Sequence, residues 1–296
     1  MFRRALFTDI DDTLIERGGD PTLRQEAHQL RDDLAAEGSD LILVTGLQFQ
    51  AAQTRIDSGE IPLPDGIISS VGTDIWLRQD DQWRQDQEYA DWLVGTGYKC
   101  AAVMLETMRF IRESPASYEL TVEQKPSPEP YKISLNFMAN HTDAAMLAQQ
   151  ARVFFPRFKI VTCEEIHFNA TLPPGAERRK FCLDIVPATK ADAMVYLIGK
   201  LGITAGFKAG DSGNDVDMLL NPDALTPILV GGYKKEALTA VQSELADHTI
   251  GPIHVLKDGR RIYIEDTDAI AAASLRRAIR LLGGPVHGEV AAKRSE

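Results

Sequence analysis

Four short, largely apolar runs in this chain each lead into a polar cluster, and none alternates between apolar and polar residues. Ala5-Leu6-Phe7 precedes Thr8-Asp9-Ile10-Asp11-Asp12-Thr13, and Leu41-Ile42-Leu43-Val44 precedes Thr45-Gly46. Phe207-Lys208-Ala209 precedes Gly210-Asp211-Ser212-Gly213-Asn214-Asp215, and the run from Phe181 to Pro187 precedes a helical segment opened by Lys190. Runs of this length without alternation suit strands buried on both faces of a parallel sheet. Helix-like segments between them predict an α/β fold with a doubly wound, Rossmann-like parallel sheet. Strands are expected near 4 to 8, 41 to 45, 66 to 71, 206 to 210 and 226 to 230. Ligands of such sheets sit beyond the carboxyl ends of the strands, so polar groups far apart in the chain can meet there.

The chemistry starts at Asp9 and Asp11. Alternate residues of an extended segment share a face, so the two carboxylates point to the same side. Close carboxylates repel unless a cation offsets them. A divalent ion does so, and also neutralises a phosphate held against them, leaving one carboxylate as a nucleophile and the other as a proton carrier. A solvated loop or helix cap is the plainer alternative for one acidic cluster. A calcium loop begun at Asp9 would put Leu14 where such a loop requires glycine. Singly, Thr45 reads as a strand-ending residue, Lys190 as a solvated helix start inside the Thr189/Asp192 capping box, and Gly213-Asn214 as a turn. Their joint occurrence in this order is what selects the catalytic reading.

These four motifs resemble those of the haloacid dehalogenase superfamily of Mg-dependent phosphohydrolases. The resemblance implies that Asp9 is the nucleophile and Asp11 the general acid and base. It implies that Thr45, Gly46, Lys190 and Asn214 hold the phosphate, with Lys190 offsetting charge on nucleophile and phosphate. Mg2+ would be held by Asp9, the Asp11 carbonyl oxygen, Asp211 and Asp215. Between the Thr45 and Lys190 motifs lies a long insertion. A helical pattern runs from about Trp83 to Arg112, and strands are expected over Tyr118 to Gln124 and Tyr131 to Met138, joined by the turn Lys125 to Pro130. A helix from Asp143 to Phe155 and strands Phe158 to His167 and Lys180 to Val186 complete an α+β module that resembles the large caps of subclass IIB. The expected division is 1–80 and 188–284 for the core, 81–187 for the inserted cap and 285–296 for a loose tail.

Within that subclass the chain is similar to bacterial sucrose-phosphate phosphatases. Ser70-Val71-Gly72-Thr73-Asp74-Ile75, Pro130-Tyr131-Lys132-Ile133-Ser134-Leu135, Asp184-Ile185-Val186-Pro187 with Lys190, and Gly210 to Asp215 carry that likeness. The chain departs from it at Gly231-Gly232-Tyr233, where relatives commonly carry Asn-Ala. It also departs at an expected hairpin around Asp258-Gly259, with strands His254 to Lys257 and Arg261 to Glu265. Cap candidates for binding sugar hydroxyls are Lys132, His167, Arg178, Arg179 and Lys180; Trp76, Trp83 and Trp92 read as packing residues. The implied activity is hydrolysis of a sugar phosphate, sucrose 6-phosphate first. The alternatives are a glycosyl-glycerol, glycosyl-glycerate or trehalose phosphate, and a phosphomutase of the phosphomannomutase type.

Composition sets the remaining bounds. At 296 residues the chain exceeds the usual single domain, with 44% hydrophobic and 25% charged residues as in globular proteins. A net charge of -11 argues against nucleic acid as the partner. Local cations still admit a small anionic substrate. The apolar run after Met1-Phe2-Arg3-Arg4 is cut short by Asp9, against a signal-peptide core, and no stretch is long enough to span a bilayer. Cys100, Cys163 and Cys182 lack metal-ligand spacing and read as buried reduced thiols of a cytoplasmic protein. A non-catalytic module docking on a sugar-phosphate synthase would not need Asp9, Asp11, Lys190, Asp211 and Asp215 together.

Overall fold

Two β-sheets organise the chain in this computed structural model, which describes residues 3–16, 21–123, 129–169, 171–173, 176–221 and 223–283. The first half of the larger sheet comprises β1 (Arg3–Thr8), β2 (Ser39–Val44) and β3 (Gly66–Ser69), separated by helices α1 (Pro21–Ala36) and α2 (Phe49–Asp57). The three strands pair in parallel, with Leu6 opposite Leu41 and Val44 opposite Ile68. Their sequences do not alternate because both faces are covered. Leu6, Leu41 and Leu43 pack with Leu30 and Ala52 on one side, whereas Phe7, Ile42 and Val44 pack with Met194 and Leu197 on the other.

Past β3 the backbone turns through Ser70 and Val71, both at positive φ. It returns as the antiparallel strands β4 (Asp74–Gln79) and β5 (Gln82–Gln85), followed by α3 (Gln87–Gly95) and α4 (Cys100–Glu113). The helix expected from Trp83 to Arg112 is thus a strand and two helices. Trp83 pairs with Arg78 across β4 and β5. The Asp86 carboxylate accepts from Tyr89 N at 3.1 Å to cap α3, and Gly97 at φ +76° separates the helices. Trp76 stacks on Phe49 at 4.0 Å and Trp83 meets the same ring edge-on, as packing residues; Trp92 stacks on Tyr89 but is 49% exposed.

The smaller sheet takes β6 (Thr121–Val122), β7 (Ile133–Ala139), β8 (Lys159–Glu164) and β9 (Arg179–Val186), with α5 (His141–Phe154) and α6 (Ile166–Asn169) between them. Its order is β6-β7-β9-β8, antiparallel throughout. The strand expected from Tyr118 shrinks to two residues, since Tyr118 closes a 3-10 turn; most of the turn Lys125 to Pro130 lies outside the described residues. The strand expected to reach His167 stops at Glu164, opposite Phe181, two residues before the start of α6. The run before Lys190 also departs from expectation. It belongs to this antiparallel sheet, and β9 alternates: Phe181, Leu183 and Ile185 face an apolar cluster with Leu135 and Leu147, so Cys182 and Asp184 face the other way.

The chain then re-enters the larger sheet through α7 (Lys190–Leu201), β10 (Ile203–Gly210), α8 (Val216–Leu220) and β11 (Thr226–Leu229). It continues through α9 (Lys235–Ser243), β12 (Leu245–Ile250), β13 (Ile253–Leu256), β14 (Arg261–Ile264) and α10 (Ala271–Leu281). The hairpin around Asp258-Gly259 forms with His254 opposite Ile262 and Gly259 at φ +85°; β12, on its edge, was not expected. The strand order is β12-β13-β14-β11-β10-β1-β2-β3-β4-β5. From β1 the chain builds outward through β2 and β3, and from β10 in the other direction through β11 and β14. The β1/β10 boundary is therefore the switch point where ligands of such sheets bind. Among the described residues no helix is long and apolar enough to cross a membrane.

Candidate active site

Asp9 is the first residue beyond β1, and its N donates to Ala209 O at 3.1 Å, which continues the β1/β10 ladder and fixes the carboxylate over the switch point. Lys190 lies behind it. Its Nζ donates to Asp9 Oδ1 and to Asp215 Oδ1, both at 2.7 Å, and its side chain is 1% exposed. Lys190 opens α7, whose start is fixed by Thr189 N donating to Asp192 Oδ2 at 2.9 Å. It is fixed again from outside by Gly72, at φ +105°, where a Cβ would meet Thr189 C and O at 2.2 Å. The Ser70-Val71-Gly72 turn thus seats the lysine. The other Asp215 oxygen accepts from Asp211 N at 3.2 Å and from Ser212 N and Oγ at 3.1 Å each, while Asp211 Oδ1 accepts from Thr13 Oγ1 at 2.8 Å.

Asp9, Asp211 and Asp215 bring one carboxylate oxygen each within 4.8 Å of one another, all buried. One lysine does not balance three carboxylates. Burial pushes the Asp9 carboxyl up to about 7, against the pull of Lys190 and with the charges of Asp215 and Asp11 adding to it. Burial, then Asp215 and Asp9, hold Asp211 well above the carboxylate range. Burial disfavours charge on Lys190, but Asp215 and Asp9 outweigh it and raise its pKa above the ordinary lysine value. A buried, oxygen-only cluster with excess negative charge suits a hard divalent cation, and these residues fit Mg2+.

Above this floor opens a cleft of about 520 Å³, walled by Asp9, Asp11, Thr45, Gly46, Asp211 and Asn214 below and by residues of the smaller sheet above. Lys190 and Asp215 are not in its wall but directly behind Asp9. Thr45 N donates to Ile68 O at 2.8 Å and its Oγ1 accepts from Leu47 N at 3.1 Å, which holds the hydroxyl at the cleft edge. Two cations of this floor escaped the sequence reading. Arg55 donates to Asp11 Oδ1 and Glu60 Oε1, both at 2.9 Å. Lys234 Nζ lies 3.5 Å from Asp12 Oδ2 and 3.8 Å from Asp211 Oδ2. A basic residue on the helix after Thr45-Gly46, and one just after Gly231-Gly232-Tyr233, were the available signals. Gly231 is explained by packing, since a Cβ there would lie 1.8 Å from Ala269 O.

Of the cap candidates, Lys132 reaches the cleft, donating to Gly46 O at 3.4 Å and lying 3.2 Å from Glu129. Arg178 turns away, to Glu119 at 3.0 Å, Met138 O at 2.7 Å and Ser117 O. Arg179 is held by Glu164 at 2.6 Å, and Lys180 sits over the Phe168 ring at 5.2 Å; neither lines the cleft. His167 falls in α6, and its side chain lies outside the described residues. The outward face of the smaller sheet instead presents Glu123, Ser134, Cys163, Glu165, Cys182 and Asp184. Cys182 alone of the three thiols is buried; Cys163 is partly exposed because it faces this cleft, and Cys100 is also partly exposed.

The family model for sucrose-6F-phosphate phosphohydrolase matches residues 2–251. No curated protein matches the chain in sequence. Among solved structures, the sucrose-phosphatase of Synechocystis sp. PCC6803, in complex with sucrose and phosphate, superposes with a TM-score of 0.69 at 18% identity, covering 96% of this chain and 99% of that one. BT1666 of Bacteroides thetaiotaomicron, a phosphatase of the haloalkanoate superfamily, gives 0.56 at 15% identity over 95% and 96%. The subclass IIB sugar phosphatase BT4131 gives 0.54 at 15% identity over 95% and 99%. These neighbours share the core-and-cap architecture of the superfamily.

Proposed function

Because the chain belongs to the sucrose-6F-phosphate phosphohydrolase family and is a haloacid dehalogenase-type phosphatase, we propose that it hydrolyses a sugar phosphate, sucrose 6-phosphate first, through an aspartyl-phosphate on Asp9. The observation that carries this reading is one carboxylate, Asp9, braced from behind by Lys190 at 2.7 Å and facing a cleft of about 520 Å³. That volume is in the range of small-molecule sites. The sucrose and phosphate bound by the Synechocystis neighbour favour sucrose over other glycosyl groups.

In this mechanism Lys190 holds one Asp9 oxygen, so the other attacks phosphorus. Asp11, oriented by Arg55, protonates the departing sugar oxygen and then takes a proton from the water that hydrolyses the aspartyl-phosphate. The Thr45 hydroxyl and Gly46 amide hold phosphoryl oxygens, and Asn214 adds to this phosphate site. Asp9, Asp211, Asp215 and the Asp11 carbonyl would hold Mg2+, which when bound offsets charge on carboxylates and phosphate. Lys132, Ser134 and Asp184 line the cleft and would hydrogen-bond sugar hydroxyls. The reading divides the chain into core and cap, and packing supports a boundary near Gly97: Tyr89 and Leu93 join the core cluster with Leu197, whereas Tyr98 and Val103 join the cap cluster. It also places the protein in the cytoplasm, where its three free cysteines stay reduced.

The test is phosphate release, with Mg2+, from sucrose 6-phosphate, trehalose phosphate and glycosyl-glycerate and glycosyl-glycerol phosphates. Release from sucrose 6-phosphate with the highest kcat/KM is expected. No release from a folded protein, or an isomerised sugar phosphate in place of free phosphate, overturns the reading. Asp9→Asn is expected to bind substrate while kcat falls by several orders of magnitude.

A further inference from the structure

We propose that Cys163, Cys182 and Glu165 form a binding site for a thiophilic divalent cation such as zinc, set in the roof of the cleft and distinct from the acidic floor. Cys163 on β8 and Cys182 on β9 are direct cross-strand partners. Glu165 continues the ladder, its N donating to Lys180 O at 2.9 Å. Being two residues past Cys163, it falls on the same face. The two sulfurs and one Glu165 oxygen lie within 4.8 Å of one another, and all three residues line the cleft.

A packing role does not account for the pair. The apolar face of this sheet is the opposite one, occupied by Phe181, Leu183 and Leu135. The thiols sit instead among hydrogen-bonding groups: Cys182 Sγ donates to Asp184 Oδ1 at 3.5 Å, and that oxygen also accepts from Ser134 Oγ at 2.5 Å. Two sulfurs and a carboxylate make a mixed donor set of the kind zinc takes in tetrahedral sites, with a fourth position open to the cleft for water. Magnesium disfavours sulfur, so the two sites separate metals by softness. Each thiol that ligates releases its proton to solvent as the metal–sulfur bond forms. A cation here would occupy space that the sugar needs, and this effect on turnover rests on the phosphatase reading above.

The full chain, reduced and in excess Mg2+ to fill the oxygen site, is titrated with Co2+. We expect a thiolate-to-cobalt charge-transfer absorption that saturates at one equivalent, is absent from Cys163→Ser/Cys182→Ser, and needs at least about tenfold more Co2+ in Glu165→Gln. Thermal melts establish that the variants fold. Absence of the band in the wild-type chain, or its persistence in the double variant, overturns the site. Zn2+ is expected to raise KM for a sugar phosphate in the wild-type chain and not in the double variant. Equal inhibition of both would remove its consequence for the cleft. A chain without phosphatase activity would still give or lack the absorption, so the site and the proposed function fail separately.

Discussion

Lys190→Met removes the cation from between Asp9 and Asp215 while keeping most of the side-chain volume. Lys190 is 1% exposed and lies 2.7 Å from each carboxylate. Removing one partner of a buried ion pair costs about 3–5 kcal/mol, because the remaining charges are left uncompensated. The pH dependence follows from Asp9, whose pKa rises from 3.8 to about 7 on folding. Between those values the folded chain binds more protons than the unfolded one, so stability falls as pH rises through the window. Lys190 opposes that rise. Without it the folded-state pKa moves higher and the window extends upward, so the variant loses more at pH 8 than at pH 5. At about 2 °C per kcal/mol for a chain of this size, the loss at pH 8 in EDTA is about 6–10 °C in Tm. Differential scanning calorimetry with EDTA, then with Mg2+, reads both the deficit and its partial recovery on metal binding. A variant melting within about 2 °C of the wild-type chain at pH 8 in EDTA would refute the claim that this lysine neutralises a buried acidic pair.

Asp211→Asn takes one carboxylate charge from the cluster of three; Mg2+ is expected to raise Tm by at least about 2 °C in the wild-type chain and by less than half of that in the variant, as read by melts with and without the ion. Gly72→Ala forces a Cβ to 2.2 Å from Thr189 at φ +105°. It is expected to cost about 2–3 kcal/mol and to lower kcat by more than the stability loss explains, because it shifts Lys190; unchanged kinetics in a folded variant would show that the turn does not seat the lysine.

The floor of the site was legible because its signals are local. Asp9 with Asp11, and Asp211 with Asp215, sit within single motifs, and the flanking runs fail to alternate because the sheet is covered on both sides. Elements that depend on a distant partner were not legible. β12 exists by pairing with β13, and the segment from Trp83 is a strand because β4 offers an edge. In the cap, local charge drew attention to Arg178, Arg179 and Lys180, but whether such residues face the cleft is set by the register of β9 and by the acidic and aromatic groups beside them. Arg55 and Lys234 approach from elements whose orientation only tertiary packing fixes. The pairing of Cys163 with Cys182 is a matter of register between strands separated by a helix, which spacing along the chain does not reveal.

β9 ends at Val186 and α7 begins at Lys190, so only 187–189 connect the roof of the cleft to the residue that steadies Asp9. The return crossing has no slack, whereas the outward one passes through helices and a glycine break. An exchange of caps between related chains should therefore tolerate rejoining upstream with altered length. At the downstream junction even one inserted residue would rotate the first turn of α7 and carry the ammonium group out of reach of both carboxylates.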